Sequence, residues 1–273
     1  MGEKRLKDIT HLALDLDGTL YLGGRVFEFT GPFLKRLSEL VIGHTFFTNN
    51  SSKSTRQYVQ HLRQMGIEAE ARDIYSSTHA TLDYLREQMP GVRRLYVLGT
   101  PALREEFGEN GYAVVREEGN DEPDAVVVGY DTSLDYPRLC AAAWWISRGK
   151  LFLATNPDRV CPTDRPTVLV DCGAMCQMLT HATGIVPHAI LGKPNPRMLA
   201  GVMQRHDLKL GQLAVVGDRI YTDIAMAHTA GAMGILVLSG ESTREQAGSA
   251  VEKPDLIVEN VGELARVLVE ARV

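Results

Sequence analysis

His11-Leu12-Ala13-Leu14-Asp15-Leu16-Asp17-Gly18-Thr19-Leu20 is the stretch that decides the fold. His11–Leu16 reads as a short apolar strand that runs straight into Asp-Gly. Pro32–Leu40 then spaces Phe33, Leu34, Leu37 and Leu40 as a helix would. His44–Phe47 is a second strand and ends in the polar run Thr48-Asn49-Asn50-Ser51-Ser52. A helix is expected over Ser54–Met65, stopped by Gly66.

The same alternation continues downstream. Strand Leu95–Leu98 precedes a helix with Pro101 in its first turn. Strand Ala125–Val128 precedes a helix carrying Leu139, Trp144, Trp145 and Ile146. Strand Leu151–Ala154 leads through an irregular stretch, Asp158–Asp171, into a short helix around Ala174–Thr183. The last block reads as strand Leu213–Val216, helix Ile224–Ala230 stopped by Gly231, strands Gly234–Leu238 and Leu256–Val258, and a terminal helix. Strands separated by helices imply an α/β chain with parallel sheets covered on both faces. The middle block, 81–187, has enough elements to pack its own core, so it is expected as a domain inserted between 1–80 and 188–273.

Composition narrows the partners. A net charge of -5 leaves no basic footprint, which argues against nucleic acid. Met1–Lys7 is polar and basic like the start of a signal peptide, but Asp15 and Asp17 cut the apolar run that follows. No run of about 18 apolar residues is present, so no membrane span is expected and the expected location is the cytoplasm. Cys140, Cys161, Cys172 and Cys176 are too few for a disulfide framework. Cys172 and Cys176 lie near His181, yet the spacing is not C-x2-C and no second pair completes a zinc site, so buried reduced thiols are expected.

Parallel sheets present functional groups beyond the carboxyl ends of their strands. Three strands here end in polar clusters: Asp15-Leu16-Asp17-Gly18-Thr19, Thr48-Asn49-Asn50, and Gly217-Asp218 followed by Asp223. If those strands are neighbours, Asp15, Asp17, Asp218 and Asp223 converge, and carboxylates that close repel unless a cation offsets them. Mg2+ suits a few carboxylates, a backbone carbonyl and a substrate phosphate. Of Asp15 and Asp17, one carboxylate can bind metal and attack phosphorus while the other handles the leaving-group proton. Thr48 and Asn49 suit phosphate oxygens, and Lys193 in Gly192-Lys193-Pro194 would offset phosphate charge. Each segment alone also has an ordinary reading: Asp-Gly as a turn, Ser and Asn as helix caps, a lone Lys as a solvated charge.

Taken in order, D-L-D-G-T-L, T-N-N-S, G-K-P and V-V-G-D-R-x-x-T-D resemble the four motifs of the haloacid dehalogenase superfamily. The insert between the second and third motifs resembles the large α/β cap of its NagD-like (subfamily IIA) phosphatases, and A-T-N-P-D at Ala154–Asp158, C-G-A-M at Cys172–Met175 and L-V-L-S-G at Leu236–Gly240 also match. The resemblance implies a Rossmann-like doubly wound parallel sheet core with an inserted α/β cap of the C2 type. It also implies a Mg2+-dependent phosphatase acting on small phosphorylated metabolites such as nucleotides, sugar phosphates, phosphoglycolate or p-nitrophenyl phosphate. In that reading Asp15 is the nucleophile and forms an aspartyl-phosphate, while Asp17 is the general acid/base. Thr48, Asn49 and Lys193 hold phosphate, and Asp218, Asp15 and the Asp17 carbonyl ligate Mg2+ with indirect support from Asp223. The alternatives are a phosphotransferase or mutase using the same phospho-Asp, and a non-catalytic phosphate-binding protein. Cys161 and Pro162, through to Val170, carry no substrate reading; of Trp144 and Trp145, at least one is expected in the core, and the pair also offers a homodimer interface through the cap.

Overall fold

Strands that are apolar at every position can be covered on both faces only where helices lie above and below the sheet. The computed structural model describes residues 6–116 and 121–272 and has two such sheets. The first has six parallel strands in the order Leu256–Val258, Met233–Val237, Leu213–Gly217, His11–Leu14, Gly43–Thr48, Ile74–Ser76. The second has five parallel strands in the order Ala189–Ile190, Leu151–Ala154, Ala125–Val128, Arg94–Leu98, Ala113–Val114.

Side-chain alternation divides each strand between two apolar layers. Leu12 and Leu14 pack with Phe46, Val216 and the helices carrying Phe33, Leu37, Leu264 and Leu268. Ala13 faces the opposite way and packs with Phe47, Leu213 and Val215. That second layer also takes in Leu95, Val97, Val127 and Leu153 of the other sheet, so one apolar cluster is shared by both sheets. The outer face of the second sheet, with Tyr96, Leu98, Val126 and Phe152, is covered by the helices Tyr136–Ser147 and Cys172–Thr183.

The expected strands and helices are all present, with ends shifted by one or two residues where they differ. Expected boundaries differ from the elements at two places. The break at 80/81 falls inside the helix Ser77–Gln88, whose Ala80, Leu82 and Leu85 join the shared layer. The break at 187/188 precedes Ala189–Ile190, which pairs with Leu153 and Ala154, so the second sheet reaches Ile190. The stretch 158–171 contains a small antiparallel pair, Val160–Cys161 with Leu169–Val170. Trp145 packs into the layer beneath its helix, whereas Trp144 is 57 % exposed. Cys172 and Cys176 are buried free thiols, and the Cys172 thiol donates to Val128 O. No helix among the described residues is long and apolar enough to cross a membrane.

Candidate active site

His11–Leu14 is central in the first sheet, paired with Leu213–Val216 on one side and Gly43–Phe46 on the other. From it the chain builds outward to Ile74–Ser76, then returns to build the opposite side. This topological switch point opens a crevice at the carboxyl ends of the strands. Leu14 is in register with Phe46 and Val216, so Asp15, Thr48 and Asp218 follow within two residues at adjacent strand ends, and the amide of Asp15 continues the ladder by donating to Val216 O at 2.8 Å.

Asp15, Asp218 and Asp223 bring carboxylate oxygens within 4.8 Å of one another, and all three are buried. Asp223 reaches this point from a single π-helical turn, Ile220–Ile224, a distortion common at functional sites. The Asp17 side chain is not in this trio but lines the same crevice, close enough to Asp15 to feel its charge. Gly18 (φ +87°) then turns the chain into the hairpin Tyr21–Leu22/Arg25–Val26. Gly18 and Gly240 lie flat against Asp218, where a Cβ on either would collide with its carboxylate.

Lys193 lies at the centre of the charge balance. Its Nζ donates to Asp15 Oδ1 at 2.5 Å, to Asp223 Oδ1 at 2.7 Å and to Phe47 O at 3.2 Å. Burial alone would lower the Lys193 pKa, but the Asp15 and Asp223 carboxylates more than offset it and the ammonium is held charged. Burial pushes Asp15 up to about 6, against the pull of Lys193. Burial, then the Asp15 charge, pushes Asp17 up to about 7, which places its titration near neutral pH. Asp218 is raised well above the ordinary carboxylate range by burial and by Asp15 and Asp223.

One oxygen of Asp218 accepts from the Glu241 amide at 2.7 Å, and the other, Oδ1, is buried with no hydrogen-bond partner. A buried carboxylate oxygen with no donor, beside two more carboxylates and only one ammonium, fits a hard divalent cation held by oxygens. The donor set is therefore chemically suited to the cation expected from the sequence.

Thr48 is buried at the crevice floor, where its Oγ1 accepts from the Asn50 amide at 3.1 Å. Asn49 is committed elsewhere than expected. Its amide oxygen accepts from Lys193 N at 2.7 Å, and its Nδ2 donates to Lys193 O and to Asp158 Oδ2, both at 3.1 Å. The crevice is lined from the second sheet's side by Asp158, Cys161, Pro162 and Asp171. Burial raises Asp158 and brings Asp171 up to about 7. Arg219 lies between the sheets, 3.7 Å from Asp158 and 2.9 Å from Glu241. Arg219 and Asp171 were not among the sequence-derived site residues. Arg219 stands inside the motif V-V-G-D-R, and that position next to Asp218 is the one signal that could have singled it out.

A charged Lys among buried aspartates at the switch point of a parallel sheet defines a class, and comparison agrees with it. Residues 12–113 match the family of haloacid dehalogenase-like hydrolases, and 190–264 match the HAD-hydrolase-like family. The chain belongs to the haloacid dehalogenase-like hydrolases. It is 34 % identical over 240 residues to the acid sugar phosphatase of Staphylococcus aureus strain USA300, covering 88 % of this chain and 90 % of that one. The 4-nitrophenylphosphatase from Thermotoga maritima superimposes with a TM-score of 0.89 at 37 % identity, over 96 % of this chain and 98 % of that one. A glycerol phosphate phosphatase from Mycobacterium tuberculosis, solved in complex with magnesium, has a TM-score of 0.86 at 32 % identity, over 96 % of this chain and 78 % of that one. Within its family the chain is a phosphatase of the NagD-like type.

Proposed function

We propose that the protein is a Mg2+-dependent hydrolase of small phosphomonoesters, sugar or polyol phosphates and p-nitrophenyl phosphate among them, working through an aspartyl-phosphate on Asp15. The observation that carries the reading is the buried set of Asp15, Asp218 and Asp223 with Lys193 bonded into it. In the first step an Asp15 carboxylate oxygen attacks phosphorus in line, and the ester oxygen leaves. Asp17, with a pKa of about 7, holds a proton at neutral pH and gives it to that oxygen. Asp17 then takes a proton from water, which cleaves the acyl phosphate and restores Asp15. Lys193 Nζ keeps Asp15 ionised and lies where it can meet the phosphoryl oxygens. Thr48 and the backbone around it offer donors to the same oxygens.

Asp15, Asp218 and the Asp17 carbonyl would hold Mg2+, with Asp223 behind them, and the ion would offset the joined charge of carboxylates and phosphate. The domain reading belongs to the same proposal: the second sheet is an inserted cap that excludes water and meets the leaving group. Asp15→Asn tests it with p-nitrophenyl phosphate and Mg2+. Turnover should be abolished while the thermal transition stays near that of the parent, and ordinary hydrolysis by that variant would exclude the mechanism.

A further inference from the structure

The polar run that ends the Gly43–Thr48 strand faces two ways. Beyond the site it is bonded to loops at the carboxyl ends of three strands of the second sheet. Thr100 Oγ1 donates to Ser52 O at 2.7 Å, and the Tyr130 amide donates to Ser51 Oγ at 3.0 Å. Asn156 Nδ2 donates to Asn49 O at 2.9 Å. The Asn49 side chain closes the arrangement, because both donors and the oxygen of its amide are spent on Lys193 N, Lys193 O and Asp158 Oδ2. Its orientation is fixed by chemistry, since a reversed amide would oppose N–H to N–H at Lys193 and oxygen to oxygen at Asp158.

We propose that Asp158, in the loop that follows the second-sheet strand Leu151–Ala154, is a positioning residue for the phosphoryl-transfer step, acting through Asn49 on the main chain of Lys193. Asp158 fixes the Asn49 amide, and the Asn49 amide fixes both the N–H and the C=O of Lys193. The Lys193 ammonium is thereby aimed at Asp15. The cap then contributes to the charge balance at the nucleophile as well as to recognition of the leaving group. This rests on Lys193 facing the substrate phosphate, as proposed above.

The test is a double-mutant cycle of Asn49→Ala and Asp158→Ala, read as kcat and KM on p-nitrophenyl phosphate and on glycerol phosphate, with inhibition by orthophosphate alongside. Each single variant should lower kcat about 10- to 100-fold by the same factor on both substrates and weaken orthophosphate inhibition. The double variant should be little worse than either single one. Asp158→Asn keeps an oxygen that accepts from Asn49 Nδ2 and should recover most of the rate. A loss that differs between the two leaving groups would overturn the proposal in favour of direct recognition. Additive losses, or Asp158→Asn falling as far as Asp158→Ala, would also overturn it, the latter pointing to the Arg219 pair. If the parent itself turned over neither substrate, the functional reading rather than this inference would have failed.

Discussion

Lys193→Met removes the one ammonium from a buried acidic site and is the sharpest test of how that site is held together. The substitution keeps the length and apolar stem of the side chain but deletes contacts to Asp15 at 2.5 Å, Asp223 at 2.7 Å and Phe47 O at 3.2 Å. Breaking a buried ion pair from one side costs about 3–5 kcal/mol, because the partner charges stay behind without compensation. For a chain of this size that corresponds to a fall of roughly 6–20 °C in the thermal transition. The carboxyls are already raised by burial, so in the variant they would take up protons. A group protonated more readily when folded than unfolded favours the folded state at low pH. The loss should thus be larger at pH 8 than at pH 5. A divalent cation that binds only the folded form adds about 2.7 kcal/mol at a hundred times its dissociation constant. Mg2+ should therefore stabilise the variant more than it stabilises the parent. Melting curves with EDTA and with Mg2+, at both pH values, measure all of this. A variant that melts with the parent in EDTA at pH 8 would refute the view that Lys193 offsets the acidic trio.

Three further outcomes are expected. His79 Nδ1 accepts from the Ser76 amide at 3.1 Å, and burial, then Arg205 and Arg86, lower its pKa from 6.5 to about 3. The folded state then binds fewer protons between those values, so stability is full above pH 6.5 and falls below it, by about 2 kcal/mol from this group at pH 5. His79→Asn should flatten the fall in melting temperature between pH 7 and pH 5, and an unchanged slope would count against it. Gly240→Ala puts a methyl into the Asp218 carboxylate and should lower kcat/KM about 100-fold with a raised Mg2+ requirement; initial rates across a Mg2+ titration that match the parent would show the contact to be harmless. Asp17→Asn should lose hydrolysis yet keep Mg2+-dependent stabilisation, because its side chain lies outside the trio; loss of that stabilisation in melting curves would place it inside.

Much of this was readable in the chain because apolar strands ending in charge are conspicuous. Ala125–Val128, Leu151–Ala154 and Leu256–Val258 lie where their apolar runs put them. Ile74–Ser76 and the helix after it left little trace. Three residues make no run, and the helix buries polar Ser77, Thr78 and Thr81 along with Ala80, Leu82 and Leu85, which blurs its hydropathy pattern. Ala189–Ile190 owes its conformation to pairing with Leu151–Ala154, a long-range contact without local propensity. At the site, the order of the motifs pointed to Asp15, Asp218, Asp223 and Lys193 together. It did not reveal that Asn49 turns its amide toward Lys193, since that depends on backbone direction after a strand end. The Asp158–Arg219 pair joins two sheets, and pattern along one dimension carries no sign of it.

The apolar layer common to both sheets has a consequence for cooperativity. Phe47, Leu213 and Val215 belong to the same buried apolar cluster as Val97, Val127 and Leu153 of the other sheet, with Leu82, Leu85, Met198 and Leu199 of two helices in it as well. Separate melting would leave each half with a raw oily surface, at a cost near 25 cal/mol per Å2 uncovered. The two halves are therefore expected to melt as a single event, seen as one transition in calorimetry.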